Sequence, residues 1–253
     1  MPQGTRTRQS TPPASEIVLP PPFSLVTLRE VGDAFTHAVS VAPKAGAGTL
    51  VYVGRFDLCE FAVVLEPEEP LRTARRAFYA GMNALADSVI AFGPPNVPVD
   101  IVWPDTVRVN LGAVGGGRLG WPASAKEDDV PDWLVFGAMI RTVSMSADEA
   151  GLNPLTTALE QEGFTDATAS QLVESFARHL MVATDAWGEH GFSAVAREYL
   201  ARLPAEKGMR RDIDENGDLL VRRMGKTDVE RRKLLPHLQQ PGWLDPETRG
   251  PKL

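Results

Sequence analysis

The 253-residue chain has a mass of 27.5 kDa, is 43% hydrophobic and 23% charged, and is long enough to bury a core without covalent staples. Its formal charge of −7 and pI near 5.2 argue against a general nucleic-acid binder. A single cysteine, Cys59, and four scattered histidines exclude a disulfide framework and a cysteine-based zinc cluster, so no metal is expected.

Residues 1–22 are polar and proline-rich, end in Pro20-Pro21-Pro22 and read as a tail that cannot order itself. They hold no apolar signal core, and no later run approaches the roughly 20 apolar residues that span a bilayer, so a cytoplasmic location is the default and no membrane partner is expected. Val31, Phe35, Ala38 and Val39 share one helical face and predict a first helix over 29–41, ended by Pro43 and Gly46-Ala47-Gly48. Two short apolar runs, Leu50–Val53 and Phe61–Leu65, have the pattern of buried strands. Phe78, Met82, Leu85 and Val89 form one stripe and predict a helix over 71–92, stopped by Gly93-Pro94-Pro95. Strands are then expected at 100–103, 107–109, 118–121 and 133–140, with the glycines 115–117 interrupting the middle two. Helices follow at 168–187 and 193–203. The order predicts an α+β fold, a mixed sheet with helices segregated to one side.

Past Pro204 the chain changes character, from an acidic body to a slightly basic end, and 204–253 reads as a small appended unit beside a main unit of 23–203. Asp212, Asp214, Asn216, Gly217 and Asp218 match the first half of a calcium-binding loop. The twelfth position, which needs a bidentate Glu, is Arg223, so a hairpin turning at Asn216-Gly217 is the stronger reading. Thr227–Glu230 has the form of a capping box and predicts a last short helix.

Neither glycine-rich stretch carries the Lys-Ser/Thr of a phosphate loop or opens a helix, so a Rossmann or P-loop nucleotide fold is not expected. Glycines inside a strand pair instead mark close approach by a ligand or another backbone. Trp103-Pro104-Asp105 ends the preceding strand. Together with Gly115, Gly116, Gly117 and Arg118 these residues predict one pocket at the facing ends of adjacent strands, although each alone has an ordinary structural explanation. Cys59 lies beside Asp57 and Glu60, which raise a thiol pKa, so a structural role is the better reading than a nucleophilic one.

The segment 99–116, with Trp103-Pro104-Asp105 and Val114-Gly115-Gly116, resembles the core of biotin protein ligases, in which Lys-Trp-Pro-Asn-Asp is followed by a hairpin and Lys-Val-Gly-Gly. The strand at 133–140, the helix ending at Trp187 and the stretch Ile213–Val221 resemble later family elements in the same order. The resemblance covers about 23–225. It implies a biotin/lipoate ligase fold, in which a mixed sheet flanked by helices carries a small C-terminal β-containing appendage. It also implies a small carboxylate or acyl ligand, an acceptor protein, and biotin, lipoate or ATP with Mg²⁺ as the groups handled. This sequence departs from the pattern where the chemistry is carried. Val102 and Ala113 stand where the family has lysines, Asp105-Thr106 replaces Asn-Asp, and Gly54-Arg55-Phe56-Asp57 stands where an arginine- and glycine-rich adenylate loop belongs. Arg55 and Arg118 are the nearest candidate cations. Three readings stay open: a carboxylate-binding protein that has lost ATP-dependent ligation, an active ligase or acyltransferase with rearranged cations, and a non-catalytic interaction module.

Overall fold

The computed structural model describes residues 17–144 and 155–252, so most of the expected N-terminal tail lies outside the described residues. Residues 17–22, expected in that tail, lie against the body: Ile17 and Leu19 pack on the core, and the Val18 N–H donates to the Glu174 carboxylate at 2.8 Å. Seven strands follow: β1 (Ser24–Leu28), β2 (Thr49–Gly54), β3 (Leu58–Leu65), β4 (Val99–Val102), β5 (Thr106–Val109), β6 (Gly112–Gly120) and β7 (Leu134–Arg141). They form one sheet in the order β1-β2-β3-β7-β6-β5-β4. β1 runs parallel to β2 and the other pairs are antiparallel, so the sheet is mixed. The glycines 115–117 sit inside β6 rather than between two strands; all three pair with β7, and Gly115 and Gly116 pair with β5 beside a register shift.

β3 and β7 are buried along nearly their whole length because both faces of the sheet are covered. Leu50, Phe61, Val63, Leu134 and Phe136 point to one face, while their alternating neighbours Val51, Val53, Ala62, Val64 and Val135 point to the other. Against the first face lie α3 (Ala77–Ile90), α4 (Ala169–His190) and α5 (Phe192–Ala201). Against the second lies α1 (Ala34–Ala45), through Ala34, Ala38 and Ala42. The helices therefore flank the sheet on both sides, where the sequence predicted one.

Local chemistry sets the helix boundaries. The Asp33 carboxylate accepts the Thr36 N–H at 2.8 Å and fixes the start of α1, so Val31 lies outside the helix and is 97% exposed. Pro43 is accommodated inside the last turn of α1. The single helix expected over 71–92 divides into α2 (Leu71–Ala74) and α3, because the hydrogen bonds tighten to i→i−3 spacing at Arg76, Phe78 and Tyr79. Thr168 and Gln171 form a capping box at the start of α4.

A second sheet of three antiparallel strands holds β8 (Met209–Ile213), β9 (Leu219–Arg223) and β10 (Val229–Arg232), with α6 (Leu234–Gln239) after it. The helix expected at Thr227–Glu230 is instead the turn into β10, because Val229–Arg232 pairs along β9 and Glu230 sits between Arg223 and Arg232. The acidic turn is a hairpin turn. Asp214 accepts the N–H groups of Asn216 and Asp218 at 3.0 and 2.9 Å, and the Arg231 guanidinium lies between the carboxylates of Asp214 and Asp218, where a half calcium loop would hold its cation. Ile213, Leu219, Val221, Leu234 and Leu238 join the main core.

Candidate functional site

The candidate residues gather on the α1 side of the sheet. Alternation along β6 puts Gly116, Arg118 and Gly120 on this face, and register sets Met139 of β7 beside Gly116 and Gly137 beside Arg118. On β3 the same rows continue through Glu60 and Ala62. Phe35 of α1 lies over Gly120 and Gly137, where a Cβ would come within 2.8 and 2.6 Å of its ring. Trp243, from the segment after α6, lies over Gly116. Arg118 therefore lies in a row of glycines with the Phe35 ring against its guanidinium.

The charges on this floor form a closed group. Arg118 Nη2 donates to Asp33 Oδ1 at 3.3 Å, and its guanidinium lies 4.1 Å from the centre of the Phe35 ring. Glu60 is 2% exposed and accepts the Ala34 N–H at 2.8 Å. Arg55 lies 3.7 Å from Glu60 and 3.5 Å from Asp57. Burial pushes the Glu60 carboxyl above its ordinary range, and Asp33 adds to this, while the Ala34 N–H, Arg55 and Arg118 pull it back. Burial lowers the pKa of Arg118, and Asp33 and Glu60 restore part of it. Arg55 and Arg118 thus face Asp33, Asp57 and Glu60, and Arg141 adds a third guanidinium whose charge Asp57 favours.

The residues expected in one pocket divide. Asp105, Gly116 and Arg118 lie together on this face, with Arg55 at the β2–β3 edge. Asp105 is 3% exposed; it accepts the Gly242 N–H at 2.6 Å and the Thr106 hydroxyl at 3.0 Å. Burial raises its pKa, and these two donors hold it down. Trp103 turns away: its Nε1–H donates to Tyr79 Oη at 3.3 Å and its ring meets His237 at 4.8 Å, so it links the main sheet to the C-terminal unit. Gly117 faces the opposite side, against Met82 and Phe136. Gly115 (φ +148°) lies by the register shift between β5 and β6, where a Cβ would meet the Met139 carbonyl at 1.9 Å. Ala113, at the second absent lysine, is bracketed by the segment at 155–157, donating to Leu155 O and accepting from Thr157 N–H.

Sequence reasoning missed Asp33, Glu60 and Trp243. Glu60 carried a signal, as the one charged residue in the run Leu58–Leu65, and so did Trp243, a large aromatic in a polar end. Cys59 is buried, donates to the Ala169 carbonyl at 3.5 Å, and has its pKa raised by burial and by Glu60. Among the described residues no group of three or more His, Cys, Asp or Glu could hold a metal ion, and no helix is long and apolar enough to cross a membrane.

A family model described as the biotin/lipoate A/B protein ligase family matches residues 19–201. Among solved structures, a biotin protein ligase-like protein of unknown function from Silicibacter sp. TM1040 is 27% identical, with a TM-score of 0.75 over 88% of this chain and 99% of that one. A biotin protein ligase from Aquifex aeolicus is 14% identical, with a TM-score of 0.62 over 83% of this chain and 99% of that one. A biotin protein ligase from Leishmania major in complex with biotinyl-5-AMP is 14% identical, with a TM-score of 0.55 over 84% of this chain and 99% of that one. The latter two likenesses concern the fold. No curated protein matches the sequence.

Proposed function

Since the chain belongs to the biotin/lipoate A/B protein ligase family, we propose that it binds a small biotin-, lipoyl- or acyl-type carboxylate in the cleft between Phe35 and Trp243 without activating that acid as an adenylate. The observation that carries this reading is the charge pairing on the cleft floor. Adenylation needs uncompensated positive charge around a triphosphate and a developing oxyanion. Arg55 and Arg118 are cations at this floor, and Asp33, Asp57 and Glu60 already face them, with Arg141 also beside Asp57. A singly charged acid can take the place of Asp33 on Arg118, one carboxylate for another, and the planar guanidinium suits that exchange. A triphosphate with its metal cannot be matched in this way. Arg118, Arg55, Asp105 and Gly116 are the proposed ligand-facing residues. Gly115 and Gly117 shape the strand beneath them, and Trp103 braces it from the side.

Two alternatives give different results in one experiment. Calorimetry with biotin, lipoate, octanoate, ATP and Mg²⁺ added separately should show heat from at least one acid and none from ATP. Pyrophosphate release from ATP with any of the acids would overturn the proposal in favour of an active ligase that modifies an acceptor protein. No heat from any acid would favour the interaction module, a reading helped by Trp243 lying in the cleft.

A further inference from the structure

The segment 240–252 lies beyond the family match, which ends at residue 201, and it packs on the sheet beside Gly116. Trp243 is its anchor. The residue is 4% exposed and packs with Leu58 and Met139. Its indole lies on Gly116, and its Nε1–H donates to the Gly117 carbonyl at 2.9 Å. Next to it the Gly242 N–H donates to the Asp105 carboxylate. The segment then closes on itself. Lys252 donates its N–H to the Trp243 carbonyl at 2.8 Å and its Nζ to the Gly242 carbonyl at 2.5 Å. Asp245 and Gly250 are bonded at 2.9 Å, and Leu244 bridges to Pro251. Arg141 donates to the Pro251 carbonyl at 2.9 Å. Residues 246–249 are exposed to solvent.

This arrangement is a self-contained loop held on the sheet by one aromatic side chain and a few polar contacts. Its internal bonds survive if it leaves the sheet, so it can move as a unit. Lifting it uncovers Leu58 and Met139 as apolar walls, with the Gly117 carbonyl and the Asp105 carboxylate as acceptors. A cleft of apolar walls with a few convergent polar groups is the usual form of a small-molecule site. We propose that Trp243 is a built-in occupant of the cleft, that 240–252 is a strap which opens without unfolding the sheet, and that the entering acid takes the space of the indole. The ligand part of this inference rests on the carboxylate reading above; the opening of the strap does not.

Hydrogen exchange on the full chain tests the opening. The Gly242 amide and the Trp243 indole N–H, whose partners Asp105 and Gly117 lie on the sheet, should exchange at least 100-fold faster than the amides of β7; Trp243→Ala should remove the protection of the Gly242 amide while β7 and the internally bonded amides of Asp245, Arg249 and Lys252 keep theirs. Exchange of the strap only together with β7 would overturn the proposal. If Trp243→Ala does not fold, Arg141→Gln removes a hydrogen bond between the sheet and the strap without opening a core cavity; it should speed exchange of the Gly242 amide at least threefold, and no change would overturn the strap. Titration of biotin, lipoate and octanoate tests the occupancy. Any acid that binds the native chain should bind Trp243→Ala at least tenfold more tightly. Equal affinity would overturn the occupant role and leave the carboxylate reading standing. Independent strap opening with no acid bound by either protein would support the strap and overturn the carboxylate reading.

Discussion

The three adjacent glycines of β6 face three different obstacles, and replacing each by alanine separates them. At Gly116 a Cβ would lie 2.0 Å from the Asp105 carbonyl oxygen and 2.5 Å from Trp243 Cδ1. The carbonyl is the harder obstacle, because the Gly117 N–H already donates to it at 3.0 Å and moving it pulls β5 off β6. At Gly115 the obstacle is again a backbone carbonyl, that of Met139 at 1.9 Å, and φ is +148°. At Gly117 the nearest atom is Met82 Sδ at 2.6 Å, on a side chain with rotamers to spare, followed by the Phe136 ring at 2.9 Å. Overpacking of a buried site costs about 1–3 kcal/mol, occasionally more. Gly115→Ala and Gly116→Ala should fall at or above the upper end of that range, and Gly117→Ala near the lower end. At this chain length each kcal/mol lowers Tm by about 2–4 °C. Urea denaturation of the three variants gives the ranking. Adding Trp243→Ala to Gly116→Ala should relieve part of the cost of the glycine change, a coupling of about 0.5–3 kcal/mol for residues in contact, and leave the rest, since the carbonyl remains. Full rescue by the tryptophan change would refute the reasoning, and so would a Gly116→Ala protein as stable as the parent.

Two other changes probe the surroundings. Tyr199→Phe removes a buried hydroxyl that donates to the Pro104 carbonyl at 2.7 Å and should cost about 1–3 kcal/mol in urea midpoint analysis; an unchanged midpoint would show that the bond adds nothing. Asp105 has a folded-state pKa raised by burial, so its contribution to stability is present below the ordinary carboxylate range and is lost as pH rises through the raised value. Asp105→Asn should flatten that part of the pH–stability curve, and a parent and variant with parallel curves would contradict the assignment.

Much of the fold was legible because burial imposes period. The stripe Phe78, Met82, Leu85 and Val89 is fully buried, and the apolar runs of β2, β3 and β7 are strands. β1 was hidden because its half-exposed residues follow a proline-rich stretch and pair with β2 across a helix. β10 was misread because Thr-Asp-Val-Glu satisfies a local capping pattern, and pairing with β9 outweighed it. The order of Trp103-Pro104-Asp105 and the glycine run pointed to the family. It did not tell that Trp103 and Gly117 face away from Gly116 and Arg118, because that depends on strand alternation and on partners far along the chain. Asp33, Glu60 and Trp243 come from α1, β3 and the C-terminal segment, and no local window contains all three.

The hydroxyl of Tyr79 also has a mechanical consequence. It donates to the Gly217 carbonyl of the small sheet at 2.6 Å and accepts the Trp103 indole N–H of the large one, while the Tyr79 and Tyr199 rings meet at 4.5 Å. The small sheet is riveted to the large one at a buried joint, and swinging it aside would strand the Tyr79 hydroxyl and the Gly217 carbonyl together. Heat should therefore melt both sheets in a single cooperative step, with no temperature at which the small sheet hangs loose beside an intact partner. Whatever mobility the protein uses has to come from pieces outside that joint.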